Sequence, residues 1–138
     1  FKLKKKVKLI KTKQNNIALT EKYETYKKFL KNIINIVKKY KTKKYKVYAV
    51  GAGLMLPILN YQLDNLFNET DNILDDDKRK INKYFPNINS KIKSLKKANL
   101  KNAIIIISST ASSLSTRKLI SIAEKKGAKI IIVPSLTY

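Results

Sequence analysis

The run Val47-Tyr-Ala-Val-Gly-Ala-Gly53 constrains what this chain can fold into more than any other feature. Apolar, strand-forming residues end abruptly at two glycines, and a helix-compatible stretch follows. A buried strand turning sharply into a helix is the entrance to a βαβ unit. From about Tyr45 to Tyr138 the chain therefore reads as a small Rossmann-like α/β domain.

The rest of that segment keeps the alternation. Lys46–Val50 is a short buried strand, and a helix runs from the glycine turn to about Phe67, with Pro57 tolerated in its first turn. Asn72–Asp75 is a second strand ending in Asp75-Asp-Asp77. Within Asn87–Ser94 a short strand is expected at Lys91-Ile-Lys93, then a helical turn over Leu95–Leu100. Ala103–Ile107 is apolar throughout, as a central strand covered on both faces must be. Ser112–Lys126 reads as a helix stopped by Gly127, and Lys129–Val133 as a last strand closed by Pro134. Strands and helices in this alternation predict a three-layer α/β domain with a mainly parallel sheet of four to five strands.

Ahead of it lie an N-terminal strand and a long amphipathic helix. Phe1–Lys13 partly alternates apolar and basic residues, which suits a strand with one wet face. Residues 1–19 are expected to be a basic strand and linker that end an upstream domain, with Gln14-Asn-Asn16 as a turn. The leading helix is expected over 20–41, capped by Thr20, with Glu21 and Glu24 in its first turn. Tyr23, Tyr26, Phe29 or Leu30, Ile33, Ile34, Val37 and Tyr40 form one apolar stripe, which reads as core packing.

Composition removes several kinds of chemistry. The chain has no cysteine and no histidine, so thiolate chemistry, disulfides and the usual near-neutral base are excluded. No apolar run approaches the roughly 20 residues of a membrane-spanning helix. The first residues lack the apolar core of a secretory signal, so we expect a piece of a longer cytoplasmic protein. The net charge of +22 raises the question of nucleic acid. Two observations argue against it. Arg79 and Arg117 are the only arginines among the basic residues, although Arg supplies the bidentate fork that phosphate and base readers favour. The excess of Lys with Asn and Ile also fits the codon bias of an AT-rich genome. Residues 1–46 carry 17 Lys and 2 acids, a net +15, whereas 47–138 carry only +7.

In parallel sheets of this kind, ligands bind outside the carboxyl ends of the strands. Gly51 would permit the tight turn, and Gly53 would let N–H groups at the helix start approach a phosphate. Ala52 lies between them. Asp75 and Asp76 stand where an acid could face a ribose hydroxyl. Ser108, Ser109 and Thr110, after the central strand, offer hydroxyls to the same edge, although N-capping would account for some of these hydroxyls without a ligand. The dinucleotide pattern G-x-G-x-x-G is incomplete, because Leu56 holds its third glycine position. Three adjacent carboxylates make a poor metal site, so no metal is expected. Without a histidine, a serine nucleophile has no evident base.

These pieces, taken in order, bring a family into view. Val47-Tyr-Ala-Val-Gly-Ala-Gly53, Ile73-Leu-Asp-Asp-Asp-Lys78, Tyr84-Phe-Pro86 leading to Ile92, a buried strand and a final Val-Pro134 resemble the C-terminal domain of bacterial SAM-dependent sugar C-methyltransferases. The likeness covers roughly Thr20 to Tyr138. It implies a domain with no catalytic residue of its own that closes over a nucleotide-sugar substrate. S-adenosylmethionine would then sit in a preceding methyltransferase domain, which would be this domain's partner, and no cofactor would bind here. The sequence departs from the family at Asn87, where a loop glycine is usual, and at Ser108-Ser109, where an aromatic-Asn pair is usual. Two other functions stay open: an NAD(P)- or nucleotide-binding module of an oxidoreductase, and a Lys-rich nucleic-acid-binding domain.

Overall fold

The computed structural model describes residues 13–109 and 114–134, with side chains from residue 19 onward. Five short strands, β1 (Val47–Val50), β2 (Asn72–Asp75), β3 (Ile92–Ser94), β4 (Ile104–Ile107) and β5 (Ile130–Ile132), form one sheet in the order β3-β2-β1-β4-β5. Every neighbouring pair is parallel. The fold is thus the Rossmann-like three-layer α/β arrangement that the alternation predicted, with strand boundaries within a residue of those expected.

Parallel strands need cover on both faces, and the side chains divide accordingly. Val47, Ala49, Ile73, Ile92, Ile104, Ile106 and Ile132 turn to one face, where they meet helices α1 (Lys13–Thr42) and α2 (Met55–Gln62). Val50, Leu74, Ile105 and Ile107 turn to the other, under α3 (Leu114–Lys125) and the Leu95–Leu100 crossing. All four isoleucines of β4 are buried. This two-sided demand is why that strand reads as an uninterrupted apolar run.

The leading helix departs from expectation at its start. It begins at Lys13, so Gln14-Asn-Asn16 is helical rather than a turn, and Thr20 lies inside the helix rather than capping it. No Gly or Pro occurs from Lys13 to Thr42, and Asn or Gln costs well under about 1 kcal/mol relative to Ala in a helix. Glu21 and Glu24 consequently fall outside the first turn, where the macrodipole no longer favours them. The expected strand over Phe1–Lys13 lies, apart from Lys13, outside the described residues.

The tyrosine stripe is corrected in part. Tyr26, Leu30, Ile33 and Val37 are buried against the sheet, and Tyr40 packs at the edge of that core. Tyr23 and Phe29 are exposed. Among the described residues no helix is long and apolar enough to cross a membrane.

Helix α2 also stops early, at Gln62 rather than near Phe67. Asp64 and Asn65 both take the left-handed conformation, and a separate 3-10 turn follows over Leu66–Asn68. The Asn60 side chain holds this break in place, its Oδ1 accepting the Phe67 N–H at 2.9 Å. Asn and Asp visit that conformation more readily than other non-glycine residues, which is the local signal for the break. Gly127 ends α3 as expected, at φ +78°.

Candidate functional site

The direction of winding reverses between β1 and β4. From β1 the chain passes under α2 to β2 on one side, and from β4 under α3 to β5 on the other. The loops leaving these two central strands therefore diverge, and the gap between them is where ligands settle in such sheets. Here the gap is a cleft of about 590 Å³. Gly51, Ala52 and Gly53 line one wall, Asp75, Asp76 and Asp77 a second, and Ser108 and Ser109 a third. Seven of the eight residues singled out from the sequence thus come together, and Thr110 lies outside the described residues.

Their geometry separates those that hold the fold from those that face the opening. Gly51 has φ +104°, a conformation that side chains resist. Its N–H donates to the Leu74 carbonyl at 2.8 Å, tying the turn to β2. A Cβ there would stand 3.4 Å from Ser108 Oγ and from Leu119 Cδ1. Ser108 itself is buried, and its hydroxyl donates back to the Val50 carbonyl at 3.1 Å and to the Gly51 carbonyl. Gly51 and Ser108 are the hinge pin of the cleft rather than its free surface. Ser109 and Thr116 share a hydrogen bond between their hydroxyls at the start of α3.

Asp75 is committed in the same way. Its Oδ2 accepts the Ala52 N–H at 2.7 Å and its Oδ1 the Asp77 N–H at 2.7 Å, while Lys80 Nζ approaches Oδ2 at 3.4 Å. Asp75 is 7 % exposed. It braces the glycine turn from β2. Asp76, its neighbour, points to the opening, where its Oδ2 lies 3.7 Å from Lys118 Nζ on α3. Both are well exposed, so the pair is loose and open to exchange with a ligand. Asp77 is clasped by Arg79, which donates from Nε at 3.0 Å and from Nη2 at 2.9 Å. That guanidinium holds the Asp77 carboxyl down at about 2.

Gly53 differs from Gly51. Its φ lies outside the positive range, and a Cβ built on it meets nothing within 4 Å. It looks onto open space just ahead of α2, before the N-cap Leu54. Leu56, at the third position of the incomplete glycine pattern, is fully buried, so α2 rests on the sheet through a leucine instead of a close glycine contact.

Two cations of the cleft were not singled out from the sequence: Lys80, five positions beyond Asp75, and Lys118 on the first turns of α3. Among so many lysines neither carried a distinguishing signal. The folded cleft sets a cation beside Asp75 and another beside Asp76. Among the described residues no group of three or more Asp or Glu is placed to hold a metal ion. Asn87, in the loop where the resembled family carries glycine, has φ +62°. The backbone conformation that glycine would serve is present, with asparagine adopting it.

No family model matches this chain, and neither the curated proteins nor the solved structures include a match.

Proposed function

We propose that this domain binds a nucleotide sugar, or a related nucleotide-bearing metabolite, as the substrate-holding C-terminal part of a SAM-dependent methyltransferase. The observation that carries the binding half of this reading is the cleft at the reversal point between β1 and β4. A ligand entering it meets the turn at Gly53 that leads into α2, where N–H groups at a helix start can face an anion, although the Leu56 N–H is taken by the Gly53 carbonyl at 3.1 Å and Pro57 has none. Asp76 supplies an acceptor for sugar or ribose hydroxyls, and Lys118 and Lys80 supply cations for phosphate. The positive field of the whole chain favours an anionic ligand over a neutral one.

The methyltransferase half rests on the sequence resemblance. In this reading methyl transfer belongs to a preceding domain that holds S-adenosylmethionine, and this domain's part is to bind and orient. The side chains of the cleft agree with such a division of labour. Asp75 and Ser108, which the sequence offered as ligand-facing groups, are both engaged in bracing the turn.

Titration of the isotope-labelled 138-residue chain with several nucleotide sugars tests the reading by amide NMR. Shifts at Gly51–Gly53 and Asp76 are expected. Their absence with every nucleotide sugar and with the free nucleoside diphosphates overturns it.

A further inference from the structure

We infer that the site has two chambers, and that the flat base of the nucleotide seats in the second, apolar one rather than in the cleft between β1 and β4. This rests on the nucleotide-binding reading above and specifies it. Beside the first cleft lies a hollow of about 440 Å³ whose far walls are Tyr84, Phe85, Pro86 and Ile92. The two hollows adjoin, sharing Ala52, Gly53, Leu54 and Lys80.

The chambers differ in chemistry. The first carries three aspartates, Lys80, Lys118 and serine hydroxyls, groups suited to phosphates and sugar hydroxyls. No carboxylate lines the second; its charged groups are Lys80 and Lys83. Its walls are aromatic and aliphatic. Tyr84 is 58 % exposed although a ring of that size is costly to leave in water, and Lys91 Nζ stands 5.9 Å from its centroid. A sugar phosphate alone would fill the polar chamber and leave this apolar one wet. A ligand with an aromatic ring at one end and phosphates in the middle fills both, with Lys80 at the junction beside the phosphates.

Gly53 supplies an independent argument. It stands on the ridge between the chambers, and neither its backbone conformation nor its packing requires glycine. Any side chain there would project into the passage that a two-part ligand must cross.

The test titrates the full chain with a uridine or adenosine diphosphate and, separately, with inorganic pyrophosphate. The diphosphate is expected to shift amides in both regions, Gly51–Asp76 and Tyr84–Ile92, and pyrophosphate to shift the first region alone. Tyr84→Ala is expected to weaken the nucleoside diphosphate about tenfold, as loss of a base–aromatic stack does, and to leave pyrophosphate within about twofold. Gly53→Val is expected to weaken the nucleoside diphosphate at least as much while the unfolding midpoint stays near that of the parent chain. If the diphosphate shifts only Gly51–Asp76, and Tyr84→Ala binds it as well as the parent does, the two-chamber inference falls and the nucleotide reading stands. If no nucleotide shifts either region, both fall together.

Discussion

The carboxylate of Asp75, at the end of β2, accepts the backbone N–H of Ala52, in the turn after β1, at 2.7 Å. A second N–H, from Asp77, reaches its other oxygen at the same distance. One side chain thereby fixes the mouth of the cleft across two strands. Replacing Asp75 with Ala leaves the buried Ala52 N–H without an acceptor, and an orphaned donor of that kind costs about 1–3 kcal/mol. Asp75→Asn keeps one carbonyl oxygen but not two, so its loss should fall between. Urea midpoints of the two variants check the order, and the Ala52 amide resonance should move most in Asp75→Ala.

The two glycines of the turn should respond in opposite directions. Gly51→Ala forces a Cβ onto φ +104° and up against Ser108 Oγ and Leu119 Cδ1. A strained conformation of this kind costs about 1–3 kcal/mol. Gly53→Ala meets no atom within 4 Å and narrows the unfolded ensemble, so it should be neutral or stabilising by up to about 1 kcal/mol. Thermal unfolding of the pair decides the matter. Equal destabilisation by both would show that the turn is more uniform than its geometry indicates.

The contrast between those glycines marks what was legible in the sequence. Periodicity and turn residues were enough to place five strands, because each buried strand had to be an apolar run between breaks. The same signals placed Gly51, Asp75 and Ser108 at one sheet edge. They did not reveal that Asp75 and Ser108 brace the turn, since a hydrogen bond across 23 or 57 positions leaves no local trace. Nor did they find the early start of α1, where Gln and Asn resemble a turn but cost a long helix little. Lys80 and Lys118 were hidden for a different reason. In a chain so rich in lysine, the ones that face a cleft look like the ones that face water.

Acid should weaken the fold through two identified carboxylates. Arg79 holds Asp77 at about 2. For Asp71, burial alone would push the carboxyl up, but the Val47 N–H and the Lys46 ammonium outweigh it and leave it below the usual range. Both groups are thus more acidic folded than unfolded. Their contributions are complete above the ordinary aspartate value near about 3.9 and are lost as pH falls through the folded values. Stability measured by urea unfolding should therefore drop from pH 5 toward pH 2. A double variant Asp71→Asn, Asp77→Asn should show a shallower drop over that window, and an unchanged slope would remove these two from the account.

Helix α1 is integral to the domain through one narrow stripe. Ile33 is 2 % exposed and Val37 fully buried against the sheet, while Tyr23 lies only four residues before Lys27 and is 54 % exposed. Truncating a buried side chain of this size costs about 2–5 kcal/mol, from lost burial and the cavity left behind. Ile33→Ala should therefore destabilise the whole domain in a single cooperative transition. Tyr23→Ala removes a contact with the Lys27 ammonium, 5.0 Å from its ring centroid, in the open. Its cost should stay under about 1 kcal/mol. Denaturant unfolding of both variants, followed by far-UV circular dichroism and by tyrosine fluorescence, separates the cases. If Ile33→Ala melts helix signal without lowering the midpoint of the rest, α1 is an appendage to the Rossmann-like sheet rather than one of its covering layers.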